Sequence, residues 1–132
     1  MDLSDVQLIN TLKINLRKNS CTDWRKRKIV ICNKFTRLMV HKTAKIECNG
    51  KIKLGVKENK ASKQETRFSM EKDSELKING ICNIGFGSDI RIFERASLNI
   101  NTCYLNGFIQ IICAKKISIG SNVAIARDVI IR

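Results

Sequence analysis

The sequence contains no proline, one histidine, one tryptophan and one tyrosine. Each shortage excludes something. Without proline nothing forbids long hydrogen-bonded ladders, so extended β-structure is open to the chain. Aromatic residues are 5% of the total, so a core has to come from Ile, Val, Leu, Cys and Ala. The 43% hydrophobic content is enough to supply one. Aliphatic β-branched residues suit strands. A single histidine, and six cysteines (Cys21, Cys32, Cys48, Cys82, Cys103 and Cys113) with no C-x-x-C spacing, give no support to a structural zinc site, and no metal is expected. The thiols read as reduced, small hydrophobes. No apolar run approaches the roughly 18 residues of a membrane span. The opening MDLSDVQLIN lacks the basic and apolar regions of a signal peptide. The expected location is the cytoplasm, extending to the inner face of the membrane.

Acidic residues are also scarce, 12 against 25 Lys and Arg, for a net charge of +13. That excess favours anionic partners without choosing among nucleic acid, lipid headgroups and phosphorylated small molecules. A Lys-rich translation of a low-GC genome gives the same balance with no function attached.

The chain has the length of one domain. Residues 4–18 read as a single helix, with Ser4 and Gln7 in capping-box spacing. Leu8, Ile9, Leu12 and Leu16 fall on one face, and Lys13, Arg17 and Lys18 gather at the end, where the helix dipole favours cations. Seven of the sixteen residues from Lys13 to Lys28 are basic, with Trp24 among them. This stretch is either a peripheral anchor on an anionic membrane or a solvated helix end, and the solvated end is the reading taken. Residues 1–28 thus form a helix and basic connector, ahead of a β-domain over 29–132. Within it, residues 57–75 are polar, with Phe68 and Met70 as their only large apolar residues, and read as an exposed loop.

A period of six runs through the β-domain. Val40, Ile46 and Ile52 form one set, Ile78, Ile84 and Ile90 a second, and Ile119, Ile125 and Ile131 a third. Small or β-branched residues (Ala44, Gly50, Cys82, Ser88, Val123 and Val129) sit two positions before the later members. Gly85, Gly120 and Ala126 directly follow core positions, where tight turns are expected. A helix repeats at three and four and a strand at two. Six fits a triangular coil that turns one large aliphatic side chain inward per side, three sixes to a coil. The phase slips between the sets, so loops must interrupt the coils. An antiparallel protein with hairpins at Asn49-Gly50, Asn79-Gly80 and Asn106-Gly107 does not explain the sixes.

The segments LKINGICNIGFGSDIRI, ASLNINTCYLNGFIQIICAKKISIG and SNVAIARDVIIR together resemble the hexapeptide-repeat acyltransferases, nearest to the sugar and polysaccharide O-acetyltransferases. The resemblance covers about residues 29–132. It implies an all-β fold, a single-stranded left-handed parallel β-helix preceded by a short N-terminal helix. It also implies a homotrimer, with acetyl-CoA in the groove between neighbouring solenoids and a sugar or polysaccharide hydroxyl as acceptor. In the family a histidine removes the hydroxyl proton as the thioester is attacked. That residue is expected just after Arg132, so the chain reads as an amino-terminal fragment that does not catalyse alone. His41 matches no family motif and reads as an exposed structural residue. Asn106 matches the family's acceptor-binding asparagine, although a turn-forming Asn before Gly107 is the alternative. Ala126 and Arg127 are weaker candidates for coenzyme contact. Two other functions compete: a basic nucleic-acid-binding β-protein, disfavoured because the aromatics are scattered, and a non-catalytic solenoid scaffold.

Overall fold

The computed structural model describes residues 3–132 and forms a three-sided parallel β-helix of five coils. One side stacks β1 (Ser20–Cys21), β4 (Lys45–Cys48), β7 (Glu75–Ile78), β10 (Ser97–Ile100) and β13 (Lys116–Ile119). The second side stacks β2 (Ile29–Cys32), β5 (Lys51–Val56), β8 (Ile81–Gly85), β11 (Cys103–Leu105) and β14 (Val123–Ile125). The third stacks β3 (Thr36–Val40), β6 (Thr66–Met70), β9 (Asp89–Ile92), β12 (Gln110–Cys113) and β15 (Ile130–Ile131). Every strand pairing in the three sheets is parallel. The Asn-Gly pairs therefore turn corners between sheets and do not close hairpins. At the corner after the first side, a Cβ on Gly50 would collide with the Gly80 carbonyl, and one on Gly80 with Thr102. Only residues without a side chain let those coils stack so closely.

Register puts like on like, and this builds the core. Leu98 lies between Leu76 and Ile117, Cys103 between Cys82 and Val123, and Ile90 between Phe68 and Ile111. Buried aliphatic columns run the length of the solenoid, so each coil covers its neighbour's apolar face. The coils are longer than three sixes. Ser97 sits beside Glu75, 22 residues back, and Lys116 beside Ser97, 19 residues back. The sixes survive because they count inward positions around a corner. Ile78 and Ile84 are the second inward residues of their strands, and Ile90 is the first of its own. The left-handed backbone positions are Gly55, Gly87, Phe108 and Asp128 among others, not Gly85, Gly120 or Ala126.

Two segments differ from the expectation. The polar stretch 57–75 is not one loop. Residues 57–65 leave the coil, but Thr66–Met70 is β6, with Thr66, Phe68 and Met70 buried and Arg67 and Ser69 directed outward. The N-terminal helix is also shorter than 4–18. A 3-10 turn spans Leu3–Asp5, and α1 spans Leu8–Asn15, with Gln7 at its N-cap making no side-chain cap bond. Its buried residues are Thr11, Ile14 and Asn15, whereas Leu8, Ile9, Leu12 and Leu16 face solvent.

The polar side of α1 is buried because it covers a strand edge. β2 is the outermost strand of its sheet, and an uncovered edge exposes unpaired N–H and C=O groups. Val30 donates to Asn15 Oδ1 (2.9 Å), and its carbonyl accepts from Asn15 Nδ2 (2.6 Å). Cys32 donates to Thr11 Oγ1 (3.0 Å), and its carbonyl accepts from the Gln7 N–H (2.9 Å). A side-chain amide, a hydroxyl and one backbone amide thus replace the missing strand, and Ile14 seals the end of the aliphatic column.

All six cysteines are free thiols; Cys21 is exposed and the other five are buried. Burial pushes Cys32 up to about 12 and also raises Cys48 and Cys113. Cys82 is raised by its hydrogen bond with Cys103 and by burial; the same bond lowers Cys103, which is shielded by its burial and not by its ionisation. Because the thiolate is the reactive form, the native protein is expected to present a single fast thiol to an aromatic disulfide reagent, with five more released on unfolding. Two or more fast thiols in the native state would contradict this packing.

Candidate functional site

The residues singled out by sequence meet at one corner. Leu105 pairs with Ile125, and Gln110 with Ile130, so the same stagger holds on both sides of the turn between the second and third sheets. Within it Asn106 stacks on Ala126, and Arg127 follows on the same rung. The N–H of Asn106 donates to the Ile125 carbonyl (2.9 Å). Its Oδ1 accepts the Gly107 N–H (2.7 Å), so Asn106 does shape the turn. Its Nδ2 makes no hydrogen bond among the described residues, so both amide donors are unused there. Asn106 is half-buried, and Ala126 and Arg127 are exposed.

The preceding coil supports this corner with Gly85, Phe86, Gly87 and Ser88. The buried Ser88 hydroxyl donates to the Gly85 carbonyl (2.8 Å) and accepts the Ile109 N–H (3.2 Å), tying two rungs together. Phe108 occupies a left-handed position (φ 59°), and its N–H donates to the Phe86 carbonyl (3.0 Å). The Phe86 and Phe108 rings meet edge to face, with centroids 5.2 Å apart. The Arg127 guanidinium carbon lies 5.0 Å from the Phe108 centroid and 5.7 Å from that of Phe86.

The 57–65 loop closes the arrangement from one side. Glu58 Oε2 lies 3.6 Å from Arg127. The loop, the two rings and Arg127 border a depression of about 220 Å³. Both partners of this ion pair are about half exposed. Such pairs contribute about 0–1 kcal/mol, so an anionic ligand can displace Glu58 from Arg127 at little cost. Phe86, Phe108 and Glu58 escaped sequence reasoning. The signal for the rings was present: Gly-Phe occurs in IGFGS and again in LNGFI, on successive coils. No pattern marks Glu58, because the loop that carries it has no repeat.

His41 is elsewhere. It follows β3 in the first coil, at the corner between the third and first sheets, and is exposed. Its Nδ1 bonds Thr43 Oγ1 (2.9 Å), and its carbonyl accepts from Arg17 (2.5 Å), so it belongs to the turn that α1 braces. A larger groove, about 400 Å³, lies on the first sheet beside Lys18, Cys21, Lys45, Glu47 and Lys77, and holds none of the predicted residues. Among the described residues no three His, Cys, Asp or Glu side chains converge as a metal site, and no helix is long and apolar enough to cross a membrane. No protein-family model, curated protein or solved structure matches the chain.

Proposed function

We propose that the Asn106–Arg127 corner is the binding surface of an acetyl-CoA-dependent O-acetyltransferase acting on a sugar or polysaccharide hydroxyl. The observation that supports this most is the stacking of Asn106 on Ala126, with Arg127 beside it on the same rung. In this reading Asn106 Nδ2 donates to an acceptor hydroxyl. Ala126 leaves room for the pantetheine arm against the backbone. Arg127 exchanges Glu58 for a coenzyme phosphate. The acceptor oxygen attacks the thioester carbonyl, a C–O bond forms and the C–S bond breaks, and the coenzyme leaves as its thiol. The hydroxyl proton needs a base and the developing oxyanion needs a donor. The corner holds no histidine, and in this reading its residues bind and orient the two substrates. Homotrimer formation, with coenzyme held between neighbouring solenoids, belongs to the same proposal.

Calorimetric titration of coenzyme A into the protein tests the binding half. Wild type is expected to bind, with Arg127→Glu weakening binding about tenfold or more. Glu58→Gln should bind more tightly than wild type, since it frees the guanidinium. Asn106→Ala should leave coenzyme affinity unchanged, because its role is on the acceptor side. Failure of the wild-type protein to bind coenzyme A at millimolar concentration would remove this reading.

A further inference from the structure

The N-terminal helix presents a surface that the solenoid does not use. Leu8, Ile9, Leu12 and Leu16 are 68%, 65%, 45% and 69% exposed. At 3.6 residues per turn they span about 100° of the circumference, on the side opposite Ile14. Single exposed aliphatics are ordinary, but four in one stripe form a contiguous patch, which calls for a partner.

The charge around the stripe identifies the partner's chemistry. Lys13 borders the stripe and is exposed, as is Lys18 just beyond the helix. The chain then makes β1 and a tight turn. Thr22 Oγ1 donates to the carbonyl of Asn15 (3.0 Å), which holds the start of that turn against the last helical residue. Trp24, Arg25, Lys26 and Arg27 are all exposed on it. Two of the acids near it among the described residues are already engaged. Asp5 Oδ1 takes Lys57 Nζ (2.6 Å), and Asp23 Oδ1 accepts the backbone N–H groups of Arg25 and Lys26 (3.0 and 3.2 Å). Arg17 is directed inward, onto the carbonyls of His41 and Ala44. This end of the molecule therefore offers aliphatic side chains, one indole and a cationic rim. A second copy of the chain would set like charge against like. A bilayer carrying anionic headgroups complements both parts at once, since acyl chains accept the stripe, headgroups accept the cations, and an indole prefers the boundary.

We propose that α1 and the basic turn after it dock on an anionic lipid bilayer, with the helix axis in the membrane plane. Leu8, Ile9, Leu12 and Leu16 enter the boundary between headgroups and acyl chains. Lys13, Lys18, Arg25, Lys26 and Arg27 meet the headgroup anions. This inference stands apart from the acyl-transfer reading, and neither depends on the other.

Co-sedimentation of the protein with vesicles tests it, using pure phosphatidylcholine and a roughly two-to-one mixture with phosphatidylglycerol. The mixed vesicles are expected to bind about tenfold more tightly than the neutral ones, with the difference shrinking as salt rises. Trp24 is the only tryptophan, and its emission should shift to the blue on binding. Leu12→Asp/Leu16→Asp should weaken binding about tenfold or more. So should Arg25→Glu/Lys26→Glu, in a turn outside the core, with the circular dichroism of wild type. Equal affinity for both vesicles, binding to neither, or an unshifted Trp24 emission would overturn the proposal. It also falls if only the charge variant loses binding, which marks a site for some other polyanion. It falls again if the leucine variant changes the oligomeric state and leaves vesicle binding untouched, which marks an interface between copies.

Discussion

Replacing Asn15 by leucine is expected to lower the unfolding free energy by about 3 kcal/mol or more, although leucine is the better helix former. Propensity alone predicts a small gain at this position. The loss comes from the strand that Asn15 faces. Its Oδ1 accepts the Val30 N–H (2.9 Å) and its Nδ2 donates to the carbonyls of Val30 and Thr11 (2.6 and 2.7 Å). Leucine can bond none of these groups. It leaves a buried N–H and a buried C=O on the edge of β2 without partners, and each costs about 1–3 kcal/mol when unsatisfied. Thr11→Val, which removes one acceptor from the Cys32 N–H, should cost about 1–2 kcal/mol on the same grounds. Leu12→Ala, on the solvent side of the same helix, should stay within about 0.5 kcal/mol. Urea midpoints for the three variants would order them. An Asn15→Leu protein no less stable than Leu12→Ala would show that α1 does not complete the sheet.

The reversal of that helix explains part of what the sequence could and could not show. Periodicity finds the apolar stripe correctly, since Leu8, Ile9, Leu12 and Leu16 do share a face. It carries no information about direction. The usual inference, apolar face inward, assumes that the helix packs on side chains. Here it packs largely on the peptide groups of an edge strand, which need donors and acceptors, and the inward residues are accordingly Thr11 and Asn15 beside Ile14. The β-domain was far more legible. Each inward aliphatic column repeats the same chemistry in every coil, so isoleucine at 78, 84 and 90 records the turning of a triangle. What the hexad conceals is corner length. Corners in this chain take different numbers of residues, and the coils consequently run past three sixes.

The candidate corner was half legible. Asn106, Ala126 and Arg127 lie on two successive coils, but the family resemblance alone singles them out, because the period slips between Ile90 and Ile119 and gives no register there. The aromatic pair and Glu58 were not foreseen. Phe86 and Phe108 fall on corners, outside the inward positions that the period counts, and Glu58 comes from a loop that follows no period. The period therefore assigns Arg127 no neighbours. In the fold it rests on two rings and one carboxylate.

The same blindness to loops hid β6, and Phe68→Ala separates the two accounts of it. In a solvated loop the substitution would change stability by less than about 0.5 kcal/mol. In the fold Phe68 is 1% exposed and lies between Leu38 and Ile90 on the third side of the solenoid. Truncating a buried phenylalanine removes its transfer free energy and leaves a cavity, about 3–5 kcal/mol together. The cavity cannot readily close, because Thr66 and Met70 on the same strand are held in register with Thr36 and Val40. Phe68→Leu should recover most of the loss, since it fills most of the volume. Arg67→Ala, one position away but directed outward, should stay within about 0.5 kcal/mol. A calorimetric melt of the three variants is decisive. If Phe68→Ala melts with wild type, residues 66–70 do not form a rung, and the third sheet loses the strand that joins β3 to β9.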